Sequence, residues 1–277
     1  MIKNHWRAVM NVFAAAIFWL LAALLVAGGS ARAQGGPPYL TNDPGTPGDS
    51  NWEINLALMP TISRAAATYE LPQIDLNYGL GDRLQLTVEV PYVLQHTTDE
   101  PTQSGWGNAY PGVKWRFWDQ GEAGWQGSVF PQVETGASSL AQLRGLAAPG
   151  PRWLLPLEFA REIGPLEFDF EAGQYFPEHG AREHIFGLVA GRSLTPELEL
   201  DAELYIDQAT DALPHYNLLD IGGRYRLNNS FIALFMFGHT LGSDRAGSPQ
   251  YVGYLGLQLL LSHYGTALMP APGLRSR

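Results

Sequence analysis

From residue 51 onward the chain alternates apolar and polar residues with few pauses, and this period of two constrains its fold more than any other feature. Successive side chains of a strand point to opposite faces, so the pattern builds strands with one apolar and one polar face. In IDLNYGLGDRLQLTVEVPY, one face carries Ile74, Leu76, Tyr78, Leu80, Leu84, Leu86, Val88, Val90 and Tyr92. The other carries Asp75, Asn77, Arg83, Gln85, Thr87 and Glu89. Later, Leu166, Phe168 and Phe170 stand against Glu167, Asp169 and Glu171, and Leu198, Leu200, Ala202 and Leu204 against Glu199, Asp201 and Glu203. Residues 231–240 are apolar on both faces. The rhythm predicts 12 strands, at 51–62, 71–80, 84–94, 109–118, 125–136, 151–163, 166–176, 184–194, 198–208, 217–227, 231–240 and 250–262.

Which face is dry decides the class. A soluble sandwich would put its polar face in water, with many lysines among mixed charges. After residue 33 this chain has one lysine, Lys114. The predicted connections alternate short (81–83, 119–124, 164–165, 195–197, 228–230) and long (63–70, 95–108, 137–150, 177–183, 209–216, 241–249). An even strand count with that alternation fits an all-β, transmembrane, antiparallel up-and-down β-barrel, with its apolar face toward lipid. A strand of about 10 residues tilted near 45° rises roughly 23 Å, the height of a lipid-facing band. Trp52, Tyr78, Tyr92, Trp118, Trp125, Trp153 and Phe231 lie near strand ends, where interfacial aromatic girdles form.

The ends read differently. Lys3 and Arg7 precede an apolar run from about Val12 to Ala27, and Ala31-Arg32-Ala33 supplies a small-residue cleavage motif, so residues 1–33 read as a secretory signal peptide. Those residues hold three bases and no acid, which leaves 14 bases against 27 acids from Gln34 onward, a net −13. Such acidity excludes nucleic acid as a natural partner. With no cysteine, an exported chain relies on its core and ladders rather than on disulfides. Residues 34–50, QGGPPYLTNDPGTPGDS, cannot form a helix or a central strand, and they are long enough to fold into a barrel from the periplasmic side as a partial plug. The barrel spans 51–262, and 263–277 form a C-terminal tail.

Several stretches carry a resemblance. Asn42-Asp43-Pro44-Gly45-Thr46-Pro47-Gly48 leads into Trp52-Glu53-Ile54-Asn55, and Asp75-Leu76-Asn77-Tyr78-Gly79-Leu80-Gly81-Asp82-Arg83-Leu84 leads to Val90-Pro91-Tyr92. Gly105-Trp106-Gly107-Asn108, Gly112-Val113-Lys114-Trp115-Arg116-Phe117 and Pro131-Gln132-Val133-Glu134 follow. Over about residues 40–135 the chain resembles the bacterial outer-membrane transporter family named for the meta-pathway of phenol degradation. The resemblance implies an outer-membrane barrel that passes small organic molecules, and it carries over no catalytic or binding residue. Tyr254 to Leu261 also resembles the signal read by the barrel-assembly machinery, without the usual C-terminal aromatic.

The candidate site is the lumen. Acids fall on the inner parity at Glu158, Glu162, Glu167, Asp169, Glu171, Glu199, Asp201, Glu203 and Asp220, and bases at Lys114, Arg116, Arg152, Arg224 and Arg226. Opposed walls of this kind either set up a field that selects ions and orients solutes, or pair off and fill the barrel. His96, His179, His184, His215 and His239 fall in long loops or at strand ends, at spacings that match no tight metal site. No G-x-S-x-G or H-E-x-x-H motif occurs, and Ser262, His263 and His239 are the loose candidates for a hydrolase pair. With the function that the resemblance implies, the chain reads as a channel for small, aromatic or apolar molecules, without cofactor or metal. A closed structural barrel and, more remotely, an outer-membrane enzyme are the alternatives. Pro60, Pro72, Pro91, Pro111, Pro131, Pro156 and Pro177 gather toward one end of the first strands, where they either end ladders or loosen the wall. N-terminal sequencing of protein purified from membranes should read Gln34 or its pyroglutamate; an intact Met1 would refute the signal peptide.

Overall fold

The computed structural model describes residues 36–98, 100–121, 124–136, 139–148, 150–178, 182–209, 216–242 and 247–262. The predicted signal peptide, the tail from His263 and the residues His179 and His215 lie outside these. In the described residues fourteen strand segments form one antiparallel sheet. They are β1 (Trp52–Ser63), β2 (Ala66–Leu80), β3 (Leu84–Thr97), β4 (Gln103–Trp106), β5 (Tyr110–Asp119), β6 (Gln126–Val129), β7 (Gln132–Glu134), β8 (Arg152–Ile163), β9 (Leu166–Pro177), β10 (Glu183–Ser193), β11 (Leu198–Ala209), β12 (Tyr216–Arg226), β13 (Phe231–Leu241) and β14 (Pro249–Leu261). Among the described residues one short helix, α1 (Ser139–Leu143), lies between β7 and β8.

The pairs β4–β5 and β6–β7 are each one stave broken in the middle, so the described residues make 12 staves. β1 pairs with β14 from Trp52↔Leu261 to Leu58↔Leu255 and closes the sheet into a barrel. Closure allows every strand to satisfy its backbone from its neighbours, which lipid demands.

The faces are inverted relative to a soluble protein. Phe170 is 41% exposed, whereas Asp169 and Glu171 beside it are 0% and 3% exposed. Leu157 next to Glu158, and Leu86 next to Gln85, repeat the inversion. Leu56, Phe186, Phe237 and Leu255 continue an exposed apolar belt around the outside. Polar groups belong inside such a barrel because lipid offers them no partner.

The sequence reading misses in three places. The expected long connection at 63–70 is a tight turn at Arg64 and Ala65, where Ser63 Oγ accepts from Ala65 N and Ala66 N at 3.1 and 3.0 Å. Leu71-Pro72 looks like a strand start because proline cannot donate to a ladder. The ladder instead passes it as a bulge in β2 between Glu70 and Gln73, which shifts the register against β3 and, opposite Ala57 to Met59, against β1. An extra residue shifts the face alternation, so Tyr69 is exposed while Glu70 lines the interior. The second miss is at 95–108, where β3 runs to Thr97 and β4 returns along it. The third is α1, which no periodicity signals.

Inside, β13 turns Ile232, Leu234 and Met236 inward, and they pack with Leu218, Val252, Tyr254 and Ala57 in an apolar cluster. That accounts for a strand apolar on both faces: one side meets lipid and the other fills the barrel. Leu157→Arg, at the middle of β8 on the lipid face, should cost about 2–4 kcal/mol of folding stability in bilayers. Urea titration of protein in vesicles reads this, and an unchanged midpoint would mean that Leu157 does not face lipid.

Candidate functional site

The interior is built from polar columns that adjacent strands set side by side. On β1–β3, Asp75 Oδ2 accepts from Asn55 Nδ2 and Asn77 Nδ2, both at 2.9 Å. Asn77 Oδ1 accepts in turn from Gln85 Nε2 at 2.7 Å and Thr87 Oγ1 at 2.6 Å. These two-residue spacings put all five groups on one face.

The opposite wall is acidic. Lys114, Glu158, Asp169, Glu171, Asp201, Glu203, Asp220 and Arg224 are all buried in the interior. The register Glu158↔Glu171, Val189↔Glu203 and Glu203↔Asp220 brings β8 to β12 together there. Lys114 Nζ lies 3.3 Å from Glu158 Oε2 and 4.7 Å from the Phe130 ring centroid. Arg224 pairs with Glu199 at 2.9 Å. Arg152 donates to Glu134 at 2.6 Å and pairs with Glu183 at 3.0 Å. Glu134 also accepts from Asn108 and Tyr110.

The remaining predicted residues sit toward the short-turn end. Arg116 Nη2 donates to Asp82 O at 2.6 Å, and Arg116, Glu162, Glu167 and Arg226 are half-buried. Glu53, Glu70, Glu89, Glu134, Glu183 and Asp207 also belong to the interior; none is among the candidate residues above, although the alternation already sets Glu89 on the polar face with Asp75 and Asn77. Glu53 and Glu89 share the inner parity of Asn55 and Asn77, a signal that was available. Glu70 was hidden by the bulge.

Residues 36–45 lie within the barrel, and the chain from Thr46 to Ser50 sits at its short-turn mouth. Leu40 N and Thr41 N donate to the Glu203 carboxylate, at 3.2 and 2.6 Å, and Asn42 N donates to Glu171 at 2.8 Å. Arg224 Nη2 donates to Pro37 O at 2.8 Å, and Lys114 Nζ donates to Asp43 O. Tyr39 donates to Asp201 at 3.0 Å; burial and that carboxylate push its phenol up, so it stays a donor. At the short-turn end Ser50 N donates to Gly79 O, and Gly79 N to Asn51 O, each at 2.9 Å. The segment thus runs from β2 across the lumen to β12.

Two glycines seat it. A Cβ on Gly79 would lie 1.8 Å from Gly48 O, and one on Gly187 would lie 2.0 Å from Thr41 Oγ1. No side chain fits between wall and segment at either point. Beside the segment is a cavity of about 400 Å³, whose lining includes Tyr110, Tyr175, Tyr205, Tyr216 and Tyr254 from five different strands. Eight carboxyl side chains line it against three bases, Lys114, Arg152 and Arg224.

The histidines stay apart. His96 meets Thr102 at 3.3 Å and His239 meets Gln250 O at 2.7 Å. Among the described residues no group of three or more His, Cys, Asp or Glu side chains could hold a metal ion.

No protein-family model and no curated protein matches the chain. Solved structures do match. An outer membrane channel from Pseudomonas putida F1 is 13% identical, with a TM-score of 0.60 over 82% of this chain and 99% of that one. The NanC porin is 9% identical, with a TM-score of 0.54 over 74% and 98%. The KdgM porin is 9% identical, with a TM-score of 0.53 over 75% and 98%. At these identities the likeness is one of fold.

Gly187→Val should unseat residues 40–42 without opening the barrel. Hydrogen exchange of the Leu40, Thr41 and Asn42 amides should speed up by about tenfold or more, as their bonds to Glu203 and Glu171 are lost. Unchanged protection would show that Gly187 is not the seat.

Proposed function

We propose that this chain is an outer-membrane channel for small molecules, of the kind that the sequence resemblance implies. It is exported by residues 1–33 and delivered through the barrel-assembly machinery by Tyr254 to Leu261. Residues 34–50 act as a plug that narrows the lumen from the periplasmic side. The observation that carries the reading is the cavity of about 400 Å³ inside a closed barrel whose outer face is apolar. Its tyrosines offer flat faces and hydroxyls together, which suits small aromatic molecules with a polar group. Similar solved structures named as channels and porins add a fold-level analogy.

A closed structural barrel is the second reading, and one observation favours it. The segment at 36–50 is hydrogen-bonded to both sides of the lumen, to Lys114 and Arg224 among others.

Planar-bilayer recording separates the two. Wild-type protein should conduct weakly and favour cations, because carboxyl groups outnumber bases around the cavity. Deleting residues 36–47 should raise conductance several-fold. Replacing Glu70 and Glu89 by Gln should move the reversal potential toward anions. No conductance from either wild type or the deletion would establish the closed barrel instead.

A further inference from the structure

The acids around the cavity fall into two groups. Along β7 to β12, Glu158 and Glu199 pair with Lys114 and Arg224, and Glu134 and Glu183 share Arg152. Glu171 and Glu203 accept from the amides of residues 40–42. The other group is Glu53, Glu70, Asp75 and Glu89, on the inner face of β1, β2 and β3. Those three strands carry no lysine or arginine anywhere along their length.

Strand register brings this second group together. Asn55 stands opposite Asp75, Asp75 opposite Glu89, and Glu89 opposite Tyr110. Side chains so placed have Cβ atoms about 4.5–5.5 Å apart, and like charges there repel. Farther from the short turns, the bulge at Leu71-Pro72 brings Glu70 onto the same face, opposite Met59. Met59 packs against the apolar cluster that includes Tyr254, on β14 next to β1. A tyrosine therefore stands on each side of the three acidic strands, Tyr110 on β5 and Tyr254 on β14.

The wall supplies these acids with few donors. Asp75 is 8% exposed; its Oδ2 takes both amides, from Asn55 and Asn77, while Oδ1 accepts from none. Glu89 accepts from Gln73 Nε2 at 2.9 Å. Among the described residues no donor meets the Glu70 carboxyl. Tyr254, 7% exposed, lines the same cavity with a hydroxyl that has no described partner.

Buried carboxylates without donors or bases are costly, and a guest that brings both donors and positive charge offsets that cost. A metal ion is a poor guest, since among the described residues no group of three such side chains could hold one. An ammonium group carries three donors and suits the faces of tyrosines. The cavity of about 400 Å³ has room for such a group on a small apolar body.

On the basis of the channel reading above, we propose that Glu70, Asp75 and Glu89, flanked by Tyr110 and Tyr254, bind the ammonium group of a small primary amine. The apolar body of the amine lies against the tyrosines. The solute's polar group is thus a cation, and the acids of β1 to β3 select it over a neutral molecule of the same shape.

The test is calorimetric titration of the folded protein, residues 34–277, in detergent micelles at pH 7. The probes are benzylammonium chloride and its neutral counterpart benzyl alcohol. Benzylammonium should bind about tenfold more tightly, the scale of one charge-assisted hydrogen bond. Glu70→Gln and Glu89→Gln should each lower that preference several-fold. Glu70 has no partner in the wall to lose, and heat-modified mobility on gels checks that both variants fold; if Glu89→Gln does not, Asp75→Asn takes its place with the same expected direction. Equal binding of the two probes, or a preference unchanged in the folded variants, would overturn the proposal. So would displacement of benzylammonium by an equal concentration of potassium chloride, which would make this a site for inorganic cations. Conductance separates this inference from the reading it rests on: a barrel that conducts but does not bind benzylammonium overturns the amine site alone.

Discussion

The hydrogen bonds between β1 and β14 are the constraint on which everything else rests. An open sheet of this length would expose two edges to lipid, and each unpaired backbone group there costs several kcal/mol. The ladder from Trp52↔Leu261 to Leu58↔Leu255 removes both edges together. Once the sheet is closed, the period of two has a single assignment, with Leu56, Leu157 and Phe170 outside and Asn55, Glu158 and Asp169 inside. A slip of one residue would reverse every stave.

The same closure makes the interior a place where charges must find partners. Lys114 and Arg224 each serve two masters, pairing with Glu158 and Glu199 on the wall and donating to backbone carbonyls of residues 36–43. Those residues return the favour, giving their own N–H groups to Glu171 and Glu203. The inner segment is thus part of the wall's electrostatics. Removing it would leave buried carboxylates without donors, a cost that helps hold it in place.

Much of this was legible in the chain. β9 and β11 could be read with the correct faces from Glu167, Asp169, Glu171, Glu199, Asp201 and Glu203, because their alternation is unbroken. What was hidden depends on non-local geometry. Glu70 was lost to the bulge at Leu71-Pro72. Phe130 sits 3% exposed in a polar column beneath Lys114, which no alternation rule predicts. Gly79 and Gly187 look like ordinary strand glycines until the inner segment is laid against them. α1 has five residues, too few for a helical period to show.

The central claim is that the apolar face meets lipid and the polar face turns inward. Spin labels placed singly along β9 from Glu167 to Ala172 test it directly, read as oxygen accessibility in lipid vesicles. Labels at Phe168, Phe170 and Ala172 should be highly accessible, and those at Glu167, Asp169 and Glu171 should be protected, with a period of two. A flat profile, or the opposite phase, would contradict the barrel described here.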